Sequence, residues 1–217
     1  MFTLRQTTVA PLAIAALILA ACGAEEEASS LTVSSVNETI SAVPSQSPTH
    51  EHGWKVEKAS SHLTFTGTAY GKEAKGTFND FTADIILDVE NPAENGIINA
   101  TISMASFTTG DSDQEGTLPS KNWFWVKEYP TAQFSSSNIT KESDGTYHAG
   151  GTLTIRGVSQ PVTLPFTLSI DGDRAIANGE LTLNRQDFGV GQGAYAKPED
   201  ILPGVTVDVH IEAIKNP

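Results

Sequence analysis

The stretch PVTLPFTLSI, residues 161–170, alternates apolar and polar side chains from one end to the other. Its apolar side chains all fall on one face of an extended chain, and they are Val162, Leu164, Phe166, Leu168 and Ile170. Successive side chains of a strand point to opposite faces, so this pattern is typical of a strand with one buried and one hydrated face. HLTFTGTA, residues 62–69, and VTVDVHIEAI, residues 205–214, repeat the pattern. The sequence therefore predicts an antiparallel, all-β domain.

Further strands are predicted where the alternation continues, near residues 76–90, 97–104, 132–141, 146–156 and 175–185. Asp-Gly pairs at residues 144–145 and 171–172 are turn signals between them. Gly179 interrupts the alternation of the last of these strands and predicts a β-bulge. About eight antiparallel strands can form a two-sheet sandwich, or close into a barrel whose lumen is filled or holds one small ligand. The periodicity leaves both architectures open.

A cluster of aromatic residues lies in KNWFWVKEYPTAQF, residues 121–134, which carries five of the sixteen aromatic residues of the chain. Ser120 is a suitable N-cap, and Pro130 disfavours helical geometry in the residue before it. The sequence therefore predicts a short helix over residues 120–128. Two roles stay open for the aromatic side chains: they plug the end of a barrel as core, or they line or gate a chain-shaped cavity.

The N-terminus predicts export. Residues 1–21 contain one cation, Arg5, followed by an apolar run over residues 10–21 that is too short to span a bilayer. The run ends in Leu-Ala-Ala-Cys-Gly, which resembles the bacterial lipobox and predicts that Cys22 becomes the lipidated first residue of the mature protein. An ordinary secretory signal with a chance cysteine is the alternative. Gly23, rather than Asp, follows the cysteine and favours an outer-membrane anchor facing the periplasm.

Composition divides the remaining chain into a tether and a domain. Residues 22–53 are rich in Ser, Glu, Thr and Pro and lack aromatic residues, so we predict a disordered tether ahead of a domain over residues 54–217. Without residues 1–21 the chain carries 12 basic and 26 acidic residues, a net charge of −14. Such a charge repels nucleic acid, which we do not expect as a partner. Cys22 is the single cysteine, so the domain has no disulfide.

No motif in the sequence predicts catalysis or a cofactor. Asp111, Asp113 and Glu115 are spaced like the start of a calcium loop, but the twelfth position is Asn122 rather than Glu. We therefore predict a solvated acidic turn and no metal site. The glycine-rich segment 188–204 follows antiparallel strands rather than a strand-to-helix turn, so it predicts a loop at a barrel mouth rather than a nucleotide site. We expect no catalytic residues, since the domain has no thiol and no Gly-x-Ser-x-Gly.

Longer motifs resemble a known family. They are SFTTGDSDQEGTLPSKNWFWVKEYPTAQFSS at 106–136, GGTLTIRGVSQPVTLPF at 150–166 and LNRQDFG at 183–189. Over residues 54–214 the chain resembles the YceI-like family of exported polyisoprenoid-binding proteins. The resemblance implies a lipocalin-like antiparallel barrel whose apolar lumen holds a long isoprenoid or a similar lipid, without catalysis and without a cofactor.

The chain departs from this family at one motif. Where many members carry Arg-Asp-x-His-Leu, this chain has Gln-Glu-Gly-Thr-Leu at residues 114–118, without the basic group and the imidazole. If those side chains contact the polar head of a ligand, this protein contacts a different head or none. Trp123 and Phe124 match two adjacent aromatic residues of the family, whereas Trp125 replaces a residue that is more often polar. We therefore predict Trp125 at the surface.

The candidate ligand-binding residues are the large apolar side chains predicted to face the lumen. They are Phe65, Phe78, Phe81, Phe107, Trp123, Phe124, Tyr129, Phe134, Leu153, Ile155, Leu164, Phe166 and Leu181. Arg156 and Arg185 match charged positions of the family and are predicted to be structural, paired with carboxylates or with strand-end carbonyls.

These observations predict an envelope lipoprotein that binds or carries a long apolar chain in a barrel lumen and is not an enzyme. The alternative is a filled barrel that acts as a protein-interaction or stress-response module of the envelope. A homodimer through edge strands or loops stays open.

Overall fold

The computed structural model describes residues 53–217; the predicted signal, Cys22 and nearly all of the tether lie outside this range. Eleven strands form within it. They are β1 Gly53–Val56, β2 His62–Ala69, β3 Lys72–Phe78, β4 Phe81–Ile86, β5 Ile97–Ser103, β6 Phe107–Thr108, β7 Thr131–Lys141, β8 Tyr147–Ile155, β9 Val158–Asp171, β10 Arg174–Asn184 and β11 Gly204–Lys215. Two short helices, α1 Pro92–Asn95 and α2 Ser112–Thr117, lie in connections between strands.

All eleven strands belong to a single antiparallel sheet that closes on itself. β1 and β2 both pair with β11. On one side β4 pairs with β1 and β5 pairs with β4, and on the other side β3 pairs with β2 and β6 pairs with β3. These six short strands are therefore the halves of three longer, interrupted strands. Together with β7 to β11 they make eight strands that run up and down around a ring.

Closure of the ring is carried by the two ends of the domain. β1 pairs with the end of β11, with Trp54 opposite Lys215, and β2 pairs with its beginning, with Thr66 opposite Thr206. The predicted antiparallel, lipocalin-like barrel of about eight strands is confirmed, and the sandwich alternative is excluded. Closed barrels leave no long free edge, so the backbone groups of the wall pair within the wall.

One end of the barrel is closed by packed side chains. There Trp54 Nε1 donates to the carbonyl of Leu87 at 3.3 Å, and the ring of Tyr147 stacks on Phe166 at 5.3 Å between centroids. Ile139 is fully buried, and a Cβ at Gly96 would lie 2.9 Å from its side chain. The chain around α1 therefore covers this end. We call it the closed end and the opposite end the mouth.

The predicted helix over residues 120–128 is wrong, because these residues form turns. Two of their amides reach back further than a helix allows: Phe124 N donates to Leu118 O at 2.9 Å and Val126 N to Pro119 O at 3.1 Å. Trp125 has a φ of 48°, in the left-handed region. The short helix lies earlier, at α2, where the Asp111 carboxylate caps the first turn.

Gly179 is not a bulge, since it lies in regular register with Phe166 on β9 and Val209 on β11. It is the last residue of β10 in the ladder with β9, and the wall splays from there towards the mouth. A Cβ at this position would lie 3.0 Å from the carbonyl oxygen of Pro165, so glycine allows the two strands to approach closely without a shift of either. In the described sheet, the register shift that marks a bulge lies on β7, between Ser136 and Asn138.

Candidate functional site

A cavity of about 830 Å³ occupies the inside of the ring. Its wall is made mainly of the inward-facing side chains of β1 to β5 and of β7 to β11. The apolar residues that line it are Trp54, Leu63, Phe65, Ala69, Ala74, Phe78, Phe81, Ala83, Ile85, Leu87, Ile98, Ala100, Ile102, Met104, Leu118, Trp123, Phe124, Ala132, Phe134, Leu153, Ile155, Val162, Leu164, Phe166, Leu168, Ala175, Ala177, Leu181, Leu183, Phe188, Val190, Ile201, Leu202, Val205, Val207, Val209, Ile211 and Ala213.

Small residues keep the lumen open. Alanine occupies inward positions on successive strands, at Ala83, Ala100 and Ala132 on one side of the ring and at Ala177 on the other. At Gly76 of β3 an added Cβ would collide with the ring of Phe65, so glycine here gives that ring its place. The lumen is therefore an open cavity. It is not filled by side chains, as the alternative prediction of a filled barrel required.

Eleven of the thirteen predicted ligand-binding residues line the cavity, and Phe107 and Tyr129 do not. Phe107 lies behind the wall, where its ring packs edge-on against Phe124 at 5.7 Å between centroids. Tyr129 packs against the turn between β8 and β9, since a Cβ at Gly157 would lie 2.8 Å from its ring. Phe107 therefore supports a lining residue, whereas Tyr129 packs against Trp125 outside the cavity wall.

Phe124 is the centre of an aromatic cluster near the mouth. Its ring lies 6.0 Å from Phe78, 6.2 Å from Phe65 and 5.7 Å from Phe107, measured between centroids. Such tilted and edge-to-face pairs add about 0.5–1.5 kcal/mol each beyond their buried area. The cluster answers the question that the aromatic segment raised, because Phe124 and Phe78 are at once packed core and cavity wall.

Trp123 forms the neighbouring part of the wall. Its indole lies 5.2 Å from the ring of Tyr195, and the guanidinium of Arg185 lies over it at 5.8 Å. Its Nε1 atom is buried without a hydrogen-bond partner. An unsatisfied buried donor costs about 1–3 kcal/mol. The side chain is therefore held by its ring contacts alone.

Trp125 lies outside the cavity wall, as a half-buried residue. Its ring packs edge-on against Tyr129 at 5.6 Å, with the Lys121 ammonium 5.1 Å and the Arg156 guanidinium 6.0 Å from its centroid. Two cations against one indole hold the ring against the barrel.

Arg185 is buried and fastens the connection of residues 185–203. Its five N–H groups all donate to backbone carbonyls, at 2.8–3.2 Å. The acceptors are the carbonyls of Val190, Gly191, Tyr195, Ile201 and Leu202. Burial lowers the pKa of the guanidinium. Because all five N–H groups are used in this way, Arg185 is structural. Its partners are backbone carbonyls and not carboxylates, the other partners that the sequence analysis offered.

Arg156 joins the two long connections that cover the mouth, residues 109–130 and 185–203. Its Nη1 donates to the Trp123 carbonyl at 2.6 Å and to the Gly189 carbonyl. Burial lowers its pKa, with a smaller opposing effect from Tyr129. It too is structural.

Where the cavity reaches the surface, it is bordered by three segments: the turn between β2 and β3, α2, and the end of the 185–203 connection. Charged residues here are Lys72, Glu73, Asp111 and Asp113. Asp111 Oδ1 accepts from the amides of Asp113 at 2.9 Å and Gln114 at 3.1 Å, so the predicted acidic turn caps a helix. Among residues 53–217, no three side chains of His, Cys, Asp or Glu converge as metal ligands.

Several wall residues near the mouth escaped the sequence analysis. Phe188, Val190, Tyr195, Ile201 and Leu202 all line the cavity, although they lie on a connection without any alternation of apolar and polar residues. The signal that could have found them is the density of apolar residues in a glycine-rich loop, because a solvated loop rarely needs them.

None of the helices within residues 53–217 is long and apolar enough to span a bilayer.

A closed ring of eight antiparallel strands around an apolar cavity defines a lipocalin-like barrel. The chain belongs to the YceI-like family, whose domain it matches over residues 54–213. A UPF0312 protein of Photorhabdus laumondii is 36% identical over 135 residues, which cover 58% of this chain and 69% of that protein. A UPF0312 protein of Pseudomonas putida is 32% identical over 147 residues, 64% of this chain and 73% of that one.

Solved structures share the fold. BcnA of Burkholderia cenocepacia is 30% identical, with a TM-score of 0.70 over 73% of this chain and 99% of its own. A polyisoprenoid binding domain from Saccharophagus degradans, 15% identical, superposes with a TM-score of 0.59 over 75% of this chain and 98% of its own, a likeness of fold. Both neighbours consist almost entirely of this domain, and among the described residues the eleven strands and both core clusters belong to one closed sheet with its own core. We therefore expect residues 53–217 to fold as a unit.

Proposed function

We propose that this protein binds a long apolar chain, a polyisoprenoid or a similar lipid, in the barrel lumen and carries it without chemical change. The observation that supports the proposal is the apolar cavity of about 830 Å³, which lies within the range of about 300–1,000 Å³ typical of small-molecule sites. The Saccharophagus degradans neighbour is a polyisoprenoid binding domain, which supports the same class of ligand here.

The energetics favour a chain-like ligand over a compact polar one. A fully buried isoprene unit has five carbons and contributes roughly 3–4 kcal/mol at about 0.8 kcal/mol per methylene. Association and chain ordering cost about 4–15 kcal/mol. Several buried units outweigh that cost without any polar contact. This suits the cavity, because the Arg185 guanidinium in its wall has no N–H left to donate to a ligand.

The polar groups around the lumen support binding rather than catalysis. The cavity wall holds one buried cation, Arg185, and its donors are saturated by backbone carbonyls. The carboxylates at the mouth lie at the surface, and that of Asp111 caps the backbone of α2. A nucleophile with an adjacent base is the usual requirement for group transfer, and the lining residues do not include such a pair.

We further propose that the barrel is an envelope lipoprotein, cleaved before Cys22, lipidated there, and held at the outer membrane facing the periplasm by a tether over residues 22–53. Cys22 lies outside the described residues, so the proposal rests on the lipobox-like sequence. Each buried methylene of an acyl chain contributes about 0.8 kcal/mol, and several chains anchor a protein firmly. Metabolic labelling with palmitate tests it: the wild-type chain should take up label and Cys22→Ser should not, and label in both would refute the assignment.

Mass spectrometry of organic extracts tests the binding proposal. Residues 53–217, purified without detergent from the native host, should carry a stoichiometric long-chain lipid. Clean extracts, together with failure of added polyprenols, quinones and fatty-acid derivatives to bind, would refute it. The cavity would then need another occupant.

A further inference from the structure

Two apolar side chains are exposed where the cavity opens. Tyr70, in the turn between β2 and β3, is 68% exposed, and Leu202, near the end of the 185–203 connection, is 48% exposed. Both also line the cavity. The apolar lining of the cavity therefore extends onto the surface at these two residues, which we call the lip.

The lip is a firmly held structure rather than two independent loops. Tyr70 N donates to Asp200 O at 2.6 Å, Leu202 N donates to Thr68 O at 3.0 Å, and Ala69 forms a β-bridge with Ile201. From inside, Arg185 Nε donates to the carbonyl of Leu202 at 3.1 Å. Two segments distant in sequence are thus hydrogen-bonded so that Tyr70 and Leu202 stay side by side at the opening.

The backbone of the turn makes tyrosine an unfavourable choice for stability. Tyr70 has a φ of 51° and Gly71 a φ of 73°, the pattern of a hairpin turn that prefers Asn, Asp or Gly at both positions. A bulky side chain in the left-handed region is uncommon and strained. Since Tyr70 is largely exposed, core packing does not explain it. An aromatic ring with a polar tip is, however, what the boundary between water and lipid favours.

The charges around the lip indicate which kind of lipid surface fits. One cation, Lys72, and three carboxylates, those of Glu73, Asp111 and Asp113, border the opening. Glu199 and Asp200 directly precede Ile201 and the lip residue Leu202, so acidic groups outnumber basic ones here. The chain as a whole carries a formal charge of −13. Anionic headgroups would meet this acidic rim with repulsion, whereas zwitterionic headgroups would not.

We propose that the lip inserts into the headgroup layer of a zwitterionic phospholipid bilayer, so that an apolar chain passes between bilayer and lumen without crossing water. The proposal rests on the proposed function. It adds the surface that the barrel contacts, the two residues that make the contact, and the class of membrane lipid that accepts them.

Flotation with vesicles of phosphatidylcholine tests the proposal on residues 53–217, which carry no lipid anchor. Tyr70→Asn combined with Leu202→Gln removes the lip while placing a favoured residue in the turn. Ile176→Gln is the matched control, because Ile176 is an exposed apolar side chain, 38% accessible, on β10 and away from the mouth. Mass spectrometry of extracts from all three proteins measures occupancy of the lumen in parallel.

We expect the wild-type domain and Ile176→Gln to float with the vesicles and the double variant to bind at least about tenfold more weakly, with binding reduced when phosphatidylglycerol is included. Occupancy of the lumen should be the same in all three. Flotation of the double variant equal to that of the wild-type domain, or binding that needs phosphatidylglycerol, would overturn the proposal that the lip inserts into a zwitterionic bilayer. Lip-dependent flotation of a domain whose lumen is empty would instead uphold the lip and count against the proposed function.

Discussion

The guanidinium of Arg185 lies over the indole of Trp123, 5.8 Å from the ring centroid, and so joins the two connections that cover the mouth. Trp123 belongs to the connection between β6 and β7, and Arg185 begins the connection between β10 and β11. The Asn122 carbonyl adds to the junction by accepting from the amides of Gly191 at 2.8 Å and Gln192 at 2.7 Å. The two connections are therefore held together where they cover part of the mouth.

Arg185→Lys should destabilise the domain by about 2–4 kcal/mol. Lysine has three donors on a flexible stem and no planar fork, so several of the five carbonyls that Arg185 satisfies would be left buried without a partner. Chemical denaturation of residues 53–217 measures the free energy of unfolding. Arg174→Lys is the control, since Arg174 is exposed and its ion pair with Glu57 is worth about 1 kcal/mol or less. Equal losses for the two variants would contradict the assigned role of Arg185.

Trp123→Phe should cost less stability than Trp54→Phe. Both changes shorten a ring in the cavity wall, but Trp54 Nε1 donates to the carbonyl of Leu87 and Trp123 Nε1 has no partner. Loss of the Trp54 donor leaves that carbonyl unsatisfied, a penalty of about 1–3 kcal/mol that Trp123→Phe avoids. Denaturation curves of the two variants decide the matter. A Trp123→Phe variant that is the less stable of the two would show that its N–H has a partner in solution.

The strands could be predicted because burial on one face leaves a local signal. Four of the five apolar residues of the opening stretch, Val162 to Leu168, line the cavity, since a strand buried on one face fixes its register in the sequence itself. The choice between barrel and sandwich could not be made this way. It depends on the pairing of Trp54 with Lys215, residues from opposite ends of the domain that carry no pattern in common.

The mouth could not be predicted, because contacts distant in sequence decide its conformation. Residues 120–128 have the capping residue and the length of a short helix. In the structure, however, Phe124 packs into the aromatic cluster and Trp125 turns outward, and Trp125 has a left-handed φ of 48°. Ile201 and Leu202 reach the cavity wall because Arg185 holds their carbonyls. No alternation in the sequence records either arrangement.

The turn between β2 and β3 should be more stable with a different residue. Tyr70→Asn should raise the free energy of unfolding by about 0.5–1 kcal/mol, since Asn tolerates the left-handed conformation. Gly71→Ala is the companion variant and should lower it by about 1 kcal/mol. A Cβ at Gly71 meets no atom within 4 Å, so its effect reports the backbone alone. Thermal unfolding of both variants measures the difference, and a destabilised Tyr70→Asn would show that the tyrosine ring packs in the folded state.

Filling the lumen should weaken ligand binding while the fold persists. Ala100 on β5 and Ala177 on β10 line opposite parts of the wall, and leucine at both positions would occupy the space that a chain needs. Added methylenes strain a close-packed core by about 1–3 kcal/mol, but here they enter an open cavity and should cost less. The affinity for a neutral apolar probe such as N-phenyl-naphthylamine, followed by its fluorescence, should fall at least about tenfold.

Ala93→Leu is the control for this prediction, because Ala93 is an exposed residue of α1 at the closed end and lies outside the cavity wall. It should bind the probe as the wild-type domain does. The comparison separates occupancy of the lumen from a general gain in hydrophobicity, which both proteins share. If the Ala100→Leu, Ala177→Leu double variant binds the probe with unchanged affinity while its circular dichroism stays that of a folded barrel, the ligand site is not in the lumen. The apolar surface at the mouth would then be the place to look for it.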